Sequence, residues 1–186
     1  MGQFQGKKGI IGVQIGFGLG RMLMGFTSGV AIPFVSWYIL NEFSPTDDIW
    51  GWVVSASWGM LTLGYLFMGY IAEKIGKDII VVIFWTLVIP AAVGIMLAKS
   101  FFWASFFFVI RTFFAMTPSA AWNSFMFEWI QPRHRGKILG LLQTGQRGLR
   151  STGTLIGGYV FSILGATIFP IAMIAYPIAG LLPLLI

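Results

Sequence analysis

Four arginines interrupt the long apolar stretches of this chain, at Arg21, Arg111, Arg147 and Arg150. A guanidinium stays charged in proteins and presents a planar set of donors that matches the oxygens of a carboxylate or a phosphate. A charge at the centre of a bilayer costs about 2.5–3.5 kcal/mol on insertion scales, so such a side chain needs a ligand or a partner. The arginines therefore predict a site for an organic or phosphorylated anion.

Other polar side chains in the same apolar stretches could complete this site. Arg147 and Arg150 are three residues apart, which places them on one face of a helix. Amide and indole groups nearby could add hydrogen bonds to a bound solute. These further candidates are Gln14, Trp122, Asn123 and Gln143.

The elements that carry these side chains have the composition of membrane helices. Of the 186 residues, 57% are hydrophobic and only 10% are charged, whereas soluble domains carry about 25% charge. A helix needs about 20 residues to cross the hydrocarbon core of a bilayer. Six apolar segments reach that length, at residues 10–40, 49–72, 79–98, 101–130, 137–164 and 166–186. We therefore predict an all-α membrane protein with six transmembrane helices.

Basic residues are concentrated at one end of the predicted bundle. The short loops between helices make neighbouring helices antiparallel, and cytoplasmic loops collect Lys and Arg. Lys99 is the one basic residue in the odd-numbered loops. The amino-terminal tail and the even-numbered loops hold seven basic residues: Lys7, Lys8, Lys74, Lys77, Arg133, Arg135 and Lys137. This distribution predicts a multi-pass protein of the inner or plasma membrane with both termini in the cytoplasm.

The second half of the sequence repeats features of the first half. Arg21 and Thr27 recur 90 residues later as Arg111 and Thr117. Glycines and a tyrosine of the second segment, Gly64, Gly69, Tyr70 and Gly76, recur in the fifth as Gly153, Gly158, Tyr159 and Gly165. We therefore predict one bundle over residues 1–186, built from two three-helix repeats, 1–98 and 99–186. Because three is odd, the repeats have opposite topology.

The spacing of the glycines predicts a helix contact, and the absence of common catalytic motifs argues against an enzyme. Gly153, Gly157 and Gly158 have the spacing of a close contact between membrane helices. The chain contains no cysteine, no H-E-x-x-H and no G-x-S-x-G, the usual signatures of metal or nucleophilic chemistry. We expect no enzymatic activity, no cofactor, no metal and no nucleic-acid partner.

Four stretches resemble motifs of the major facilitator superfamily. The sequence Gly-Tyr-Ile-Ala-Glu-Lys-Ile-Gly-Lys over 69–77 is similar to that family's loop motif, G-x-L-A-D-R-x-G-R, and Arg111 resembles its helix-four arginine. Gly-Thr-Leu-Ile-Gly-Gly over 153–158 resembles its G-P-x-x-G-G, with Thr154 in place of proline. Glu128 with Pro132, Arg135 and Gly136 is similar to its basic loop.

The resemblance implies one six-helix half of a transporter that moves a small solute by alternating access. The loose loop motif and the spacing of Arg111, Pro118 and Glu128 favour a carboxy-terminal half. A second six-helix half would then be supplied by the rest of a longer chain or by a homodimer mate. In such a fold the first and fourth helices line the cavity. A cytoplasmic charge cluster would stabilise one state; its residues are Gly69, Glu73, Lys74, Gly76, Lys77, Glu128 and Arg135.

Several alternative roles for these residues are compatible with the sequence. Arg111 could be the family's structural arginine, bonded to backbone carbonyls, and Arg21 could pair with an acidic residue of the other half. Either Arg147 or Arg150 could extend to the aqueous interface through its flexible stem. The whole chain could also be a non-transporting membrane scaffold or an inactive transporter fragment.

Overall fold

The chain folds into helices throughout the part that the computed structural model describes, residues 7–185, with side chains from residue 12 onward. The helices are α1 (Lys7–Phe43), α2 (Asp47–Ile75), α3 (Lys77–Leu97), α4 (Phe101–Met116), α5 (Ser119–Glu128), α6 (Arg135–Leu164), α7 (Ile168–Met173) and α8 (Ala175–Leu185). Single 3₁₀ turns, Pro132–His134 and Gly165–Thr167, precede α6 and α7. An apolar chain in lipid must satisfy its backbone groups internally, and helices do so within each segment.

The helices extend further into the connections than the sequence predicts. The expected loops at residues 41–48 and 73–78 are reduced to 44–46 and to the single residue Gly76. Gly76 has φ of 110°, a conformation that side chains with a Cβ rarely adopt. This one residue therefore separates α2 from α3. Thr154, by contrast, lies inside the uninterrupted helix α6, at the position where the family motif has a helix-bending proline.

Five stretches are long and apolar enough to cross a membrane: Gly12–Phe43, Asp47–Ile75, Lys77–Leu97, Phe101–Glu128 and Pro132–Leu185. The predicted fourth segment is divided into α4 and α5 at Thr117 and Pro118, since proline cannot donate a helix hydrogen bond. The predicted fifth and sixth segments both fall within the last stretch, which contains 54 residues. It is interrupted at Gly165, where φ is 56°.

Contacts fix the direction of the helices around α1. Phe34 of α1 stacks on Phe161 of α6, with ring centroids 5.4 Å apart. Gly25, nearer the start of α1, lies against Gln146, nearer the start of α6. Because the later residue of α1 meets the later residue of α6, the two helices are parallel. The opposite trend holds for α7 and α8, since Tyr38 packs on Phe169 and Gly16 lies against Pro183. The chain therefore reverses between α6 and α7.

The same reasoning places α3 antiparallel to α4 and α5. Gly94, near the end of α3, faces Phe107 of α4. Trp85 in the middle of α3 donates from Nε1 to the carbonyl of Ala115, 3.2 Å away. Lys77 at the start of α3 is paired with Glu128 at the end of α5. The basic connections between α2 and α3 and between α5 and α6 therefore lie at the same end of the bundle.

Aromatic side chains fill the centre of the bundle where α1, α3 and α5 meet. Trp122 packs edge-on against Phe17, with centroids 4.8 Å apart, and lies 5.0 Å from Trp85. All three side chains are buried. This aromatic layer holds α1 and α5 together close to Arg21 and Asn123.

Candidate functional site

Three of the four predicted arginines surround one polar pocket between α1 and α6. The pocket has a volume of about 250 Å³, and its walls are formed by Arg21, Ser28, Gln143, Gln146, Arg147 and Arg150. None of these lining residues is acidic. Three guanidinium groups therefore line a space whose walls contain no carboxylate to neutralise their charge.

Arg21 is fixed in this pocket by neutral groups. Its side chain is buried, with 8% exposed. One terminal nitrogen donates to Oδ1 of Asn123 on α5, and the other donates to Oε1 of Gln146 on α6, 3.5 Å away. Its Nε has no partner among the described residues. Amide oxygens orient a guanidinium without cancelling its charge, so Arg21 keeps its full attraction for an anion.

Arg147 and Arg150 occupy one face of α6 together with Gln143. Both arginines are exposed on the surface of the bundle. Gly25 and Gly29 of α1 lie directly against the backbone of Gln146 and Arg150, and Thr154 on α6 donates to the carbonyl of Gly29 at 3.3 Å. A larger residue at either glycine would push α6 away. The close approach of the two backbones therefore brings Arg21 beside the polar face of α6.

Arg111 lies elsewhere, inside the bundle. Only 2% of it is exposed, and a terminal nitrogen lies 3.6 Å from Sδ of Met173 on α7. Its Nε has no partner among the described residues. Arg111 is therefore not one of the residues that line the pocket, although the sequence places it about as deep in the membrane as Arg21.

Three of the four other candidates do not line the pocket. Trp122 belongs to the aromatic layer and packs on Trp85 and Phe17. Gln14 donates to the carbonyl of Trp129, 2.8 Å away, and lines a second cavity of about 540 Å³ with Glu128, His134 and Arg135 at the basic end of the bundle. Asn123 reaches the pocket indirectly, through Arg21.

Two pocket residues, Ser28 and Gln146, were absent from the sequence-based candidates. Gln146 lies three residues after Gln143 and four before Arg150, so its helical spacing was sufficient to find it. Ser28 is seven residues, or about two helical turns, beyond Arg21. Its hydroxyl donates to the carbonyl of Gly25 at 2.8 Å, and no chemical signal in the sequence distinguishes it from other helix serines.

The predicted cytoplasmic charge cluster is partly assembled. Lys77 forms an ion pair with Glu128, with 31% and 53% of the side chains exposed. Arg135 donates to the carbonyls of Ile130 and Phe127, at 3.1 and 2.8 Å. It thereby satisfies backbone oxygens left free at the end of α5.

The remaining members of that cluster lie apart from the ion pair. Lys74 lies over the ring of Tyr70, 4.4 Å from its centroid. Glu73 and Gly69 are exposed on α2, and a Cβ added at Gly69 would meet no atom within 4 Å. Gly76 contributes the backbone turn rather than a contact.

The predicted packing glycines lie where α6 is closest to α1. A Cβ on Gly157 would come within 2.7 Å of the carbonyl oxygen of Val30, and Gly153 faces the carbonyl of Phe26. A Cβ on Gly158 would lie 3.6 Å from Cζ of the Phe34 ring. Gly153 and Gly157 therefore allow backbone-to-backbone contact of the kind seen between membrane helices.

These features define a multi-pass helical membrane protein with a cationic pocket between two of its helices. The family description of the Major Facilitator Superfamily matches residues 17–186. The chain therefore belongs to the major facilitator superfamily, a family of membrane transporters. No curated protein matches the chain. Within the described residues, no group of three or more His, Cys, Asp or Glu side chains is arranged to hold a metal ion.

Proposed function

We propose that this chain is one six-helix half of a secondary active transporter that binds a small anionic solute between α1 and α6. The observation that carries this proposal is the pocket in which Arg21, Arg147 and Arg150 meet without an acidic lining residue. Charge-assisted bonds from guanidinium groups to carboxylate or phosphate oxygens are roughly twice as strong as bonds between neutral groups. An anion would also compensate charges that the apolar surroundings disfavour.

An inverted repeat is supported by two equivalent contacts between the proposed units 1–98 and 99–186. Gly64 of α2 faces Thr117 after α4, and Gly153 of α6 faces Phe26 of α1, next to Thr27. The sequence repeat relates Gly64 to Gly153 and Thr117 to Thr27. On this basis the stretch 132–185 crosses the membrane twice, which gives six crossings in two units of opposite topology.

A second six-helix half is supported by the surface chemistry of α6 and α2. Arg147 and Arg150 are exposed within membrane-spanning α6, and charged groups in membrane proteins face a bundle interior or a hydrated cavity rather than lipid. Added Cβ atoms would meet nothing within 4 Å at six glycines of these helices: Gly51, Gly59, Gly69, Gly136, Gly140 and Gly148. Such small residues allow another helix to approach closely.

Alternating access would proceed by rocking of the two halves around the arginine pocket. The Lys77–Glu128 pair connects the start of α3 to the end of α5, so it resists relative movement of these helices. Exposed ion pairs contribute only about 0–1 kcal/mol. Because α3 and α5 belong to the same half, a pair of that strength biases alternating access only to the extent that these two helices shift within the half.

Binding of anions can be measured through the thermal stability of the purified full-length protein in detergent. The panel includes inorganic phosphate, a sugar phosphate, a dicarboxylate, a neutral sugar and an organic cation. A ligand at 100 times its Kd stabilises the native state by about 2.7 kcal/mol. We expect stabilisation by one or more anions only, and Arg147→Gln should weaken it about tenfold or more, because a charge-assisted bond is lost.

The matched control is Lys137→Gln, which removes the same charge from α6 outside the pocket. This variant should bind the anion as the wild type does. Selective stabilisation by the sugar or the cation would contradict the anion site. If no solute on the panel changes the melting temperature, the scaffold alternative gains support over transport.

A further inference from the structure

A proline inside α1 deprives one backbone carbonyl of its usual donor. Pro33 lies within α1, in the stretch Gly12–Phe43 that is long and apolar enough to cross a membrane. In an uninterrupted helix the N–H of residue 33 would donate to the carbonyl of Gly29. Proline has no N–H, and its ring presses against the carbonyl four residues earlier. Because the hydrocarbon core contains no water to replace the donor, the Gly29 carbonyl is open to a donor from a neighbouring helix.

Thr154 of α6 supplies such a donor. Its hydroxyl oxygen lies 3.3 Å from the carbonyl oxygen of Gly29 and 3.0 Å from the carbonyl oxygen of Arg150 in its own helix. A hydroxyl has one hydrogen to donate, so this hydrogen is shared between an acceptor on α1 and an acceptor on α6. Thr152, two residues earlier, donates to the carbonyl of Leu149 in α6 at 2.9 Å. Thr154 therefore joins two helices, whereas Thr152 bonds within one.

The two carbonyls that accept from Thr154 belong to residues whose backbones touch. A Cβ on Gly29 would collide with the carbonyl oxygen of Arg150, so that oxygen lies directly against the α-carbon of Gly29. Arg150 and Arg21 line the polar pocket from opposite helices. Separation of α6 from α1 at this turn would therefore move Arg150 relative to Arg21.

We propose that Thr154 is a positioning residue for the pocket between α1 and α6. Its hydroxyl satisfies the carbonyl that Pro33 leaves free, and it thereby holds the turn of α6 that carries Arg150 against α1. The effect on solute binding rests on the anion site proposed above, whereas the effect on helix contact does not. Hydropathy and motif spacing do not reveal this pairing, because the donor and its acceptor on α1 are 125 residues apart.

The helix contact can be tested without any solute, through the melting temperature of the full-length protein in detergent. Thr154→Val removes the hydroxyl with little change of shape and should melt at a lower temperature than the wild type. Thr154→Ser keeps the hydroxyl and should melt close to the wild type, as should the matched control Thr152→Val. In a Pro33→Ala background, where the Gly29 carbonyl regains its donor, Thr154→Val should lower the melting temperature less. Equal melting temperatures of Thr154→Val and Thr152→Val would overturn the proposal.

Anion binding tests whether Thr154 acts through Arg150, with inorganic phosphate, a sugar phosphate and a dicarboxylate as probes. We expect Thr154→Val to weaken binding about threefold, the equivalent of one hydrogen bond between membrane helices, while Thr154→Ser and Thr152→Val bind normally. In an Arg150→Gln background, Thr154→Val should cause no further loss, because the two changes share one effect.

The outcomes separate this proposal from the anion site on which it rests. Unchanged binding by Thr154→Val, or an equal loss with and without Arg150, would overturn the positioning role and leave the anion site standing. Failure of all three anions to stabilise the wild type would overturn the anion site and the positioning role together.

Discussion

At the scale of single residues, the proposed anion pocket depends on the neutrality of the groups that hold Arg21. Asn123 and Gln146 accept its hydrogen bonds, so the guanidinium is oriented while its charge remains available. A carboxylate in either position would form an ion pair and occupy the donors that a solute needs. Amides rather than acids at positions 123 and 146 therefore leave the charge of Arg21 available to bind an anionic solute.

Asn123→Asp tests this consequence with almost no change of side-chain volume. The new carboxylate would pair with Arg21, so we expect anion binding to weaken by about tenfold or more while the protein stays folded. The measurement is the anion-dependent rise in melting temperature. Asn41→Asp, at an exposed position near the end of α1, is the matched control and should bind normally. Unchanged binding by Asn123→Asp would show that Arg21 does not contact the solute.

At the scale of secondary-structure elements, the contact between α1 and α6 positions the pocket. Both helices offer glycines to it, Gly25 and Gly29 from α1 and Gly153 and Gly157 from α6. Apolar burial does little to hold helices together in lipid, so packing of this kind must supply the stability. A methyl group at the interface separates the backbones and moves Arg21 away from Arg150.

Gly157→Ala should destabilise the protein because its Cβ would lie 2.7 Å from the carbonyl oxygen of Val30. Overpacking of this kind costs about 1–3 kcal/mol. Gly140→Ala changes the same helix at a position where nothing lies within 4 Å, and it should leave stability unchanged or slightly higher. Thermal unfolding of the two variants in one detergent makes the comparison. Equal melting temperatures would mean that α6 can shift without cost.

At the scale of the whole molecule, charge is separated between the two ends of the bundle. The antiparallel arrangement of α3 with α4 and α5 places Lys77 and Arg135 at one end and Asp47, Asp48 and Lys99 at the other. Cytoplasmic ends of membrane proteins carry the excess of basic residues. We propose on this basis that the end with Lys77 and Arg135 and both termini are cytoplasmic, in the plasma membrane.

Single cysteines can test this orientation because the chain has none of its own. Lys99→Cys in intact cells should react with a membrane-impermeant maleimide. Arg133→Cys should react only after the membrane is opened, since the two positions lie at opposite ends of the bundle. The reverse pattern would invert the proposed topology, and labelling of both in intact cells would contradict a fixed orientation.

Much of the fold could be predicted from the sequence because apolar length is a local property. The segments at 79–98 and 137–164 match α3 and α6 to within two residues. The breaks were harder to predict, since the division at Thr117 and Pro118 and the very short turn at Gly76 depend on how the flanking helices pack. The position of an arginine along its helix was also a poor guide to burial. Arg111 and Arg150 are predicted at similar depths in the membrane, yet Arg111 is buried and Arg150 is exposed.

The sequence by itself determined that this protein is a helical membrane protein with one basic end and with charged groups inside its spans, because hydropathy and charge act over consecutive residues. Only the tertiary structure decided which arginines share a space. The direction in which a side chain leaves its helix, and the neighbour it meets, depend on packing between distant segments. That packing buries Arg111 against Met173 and brings Arg21 beside Gln146, because glycines allow α1 and α6 to touch.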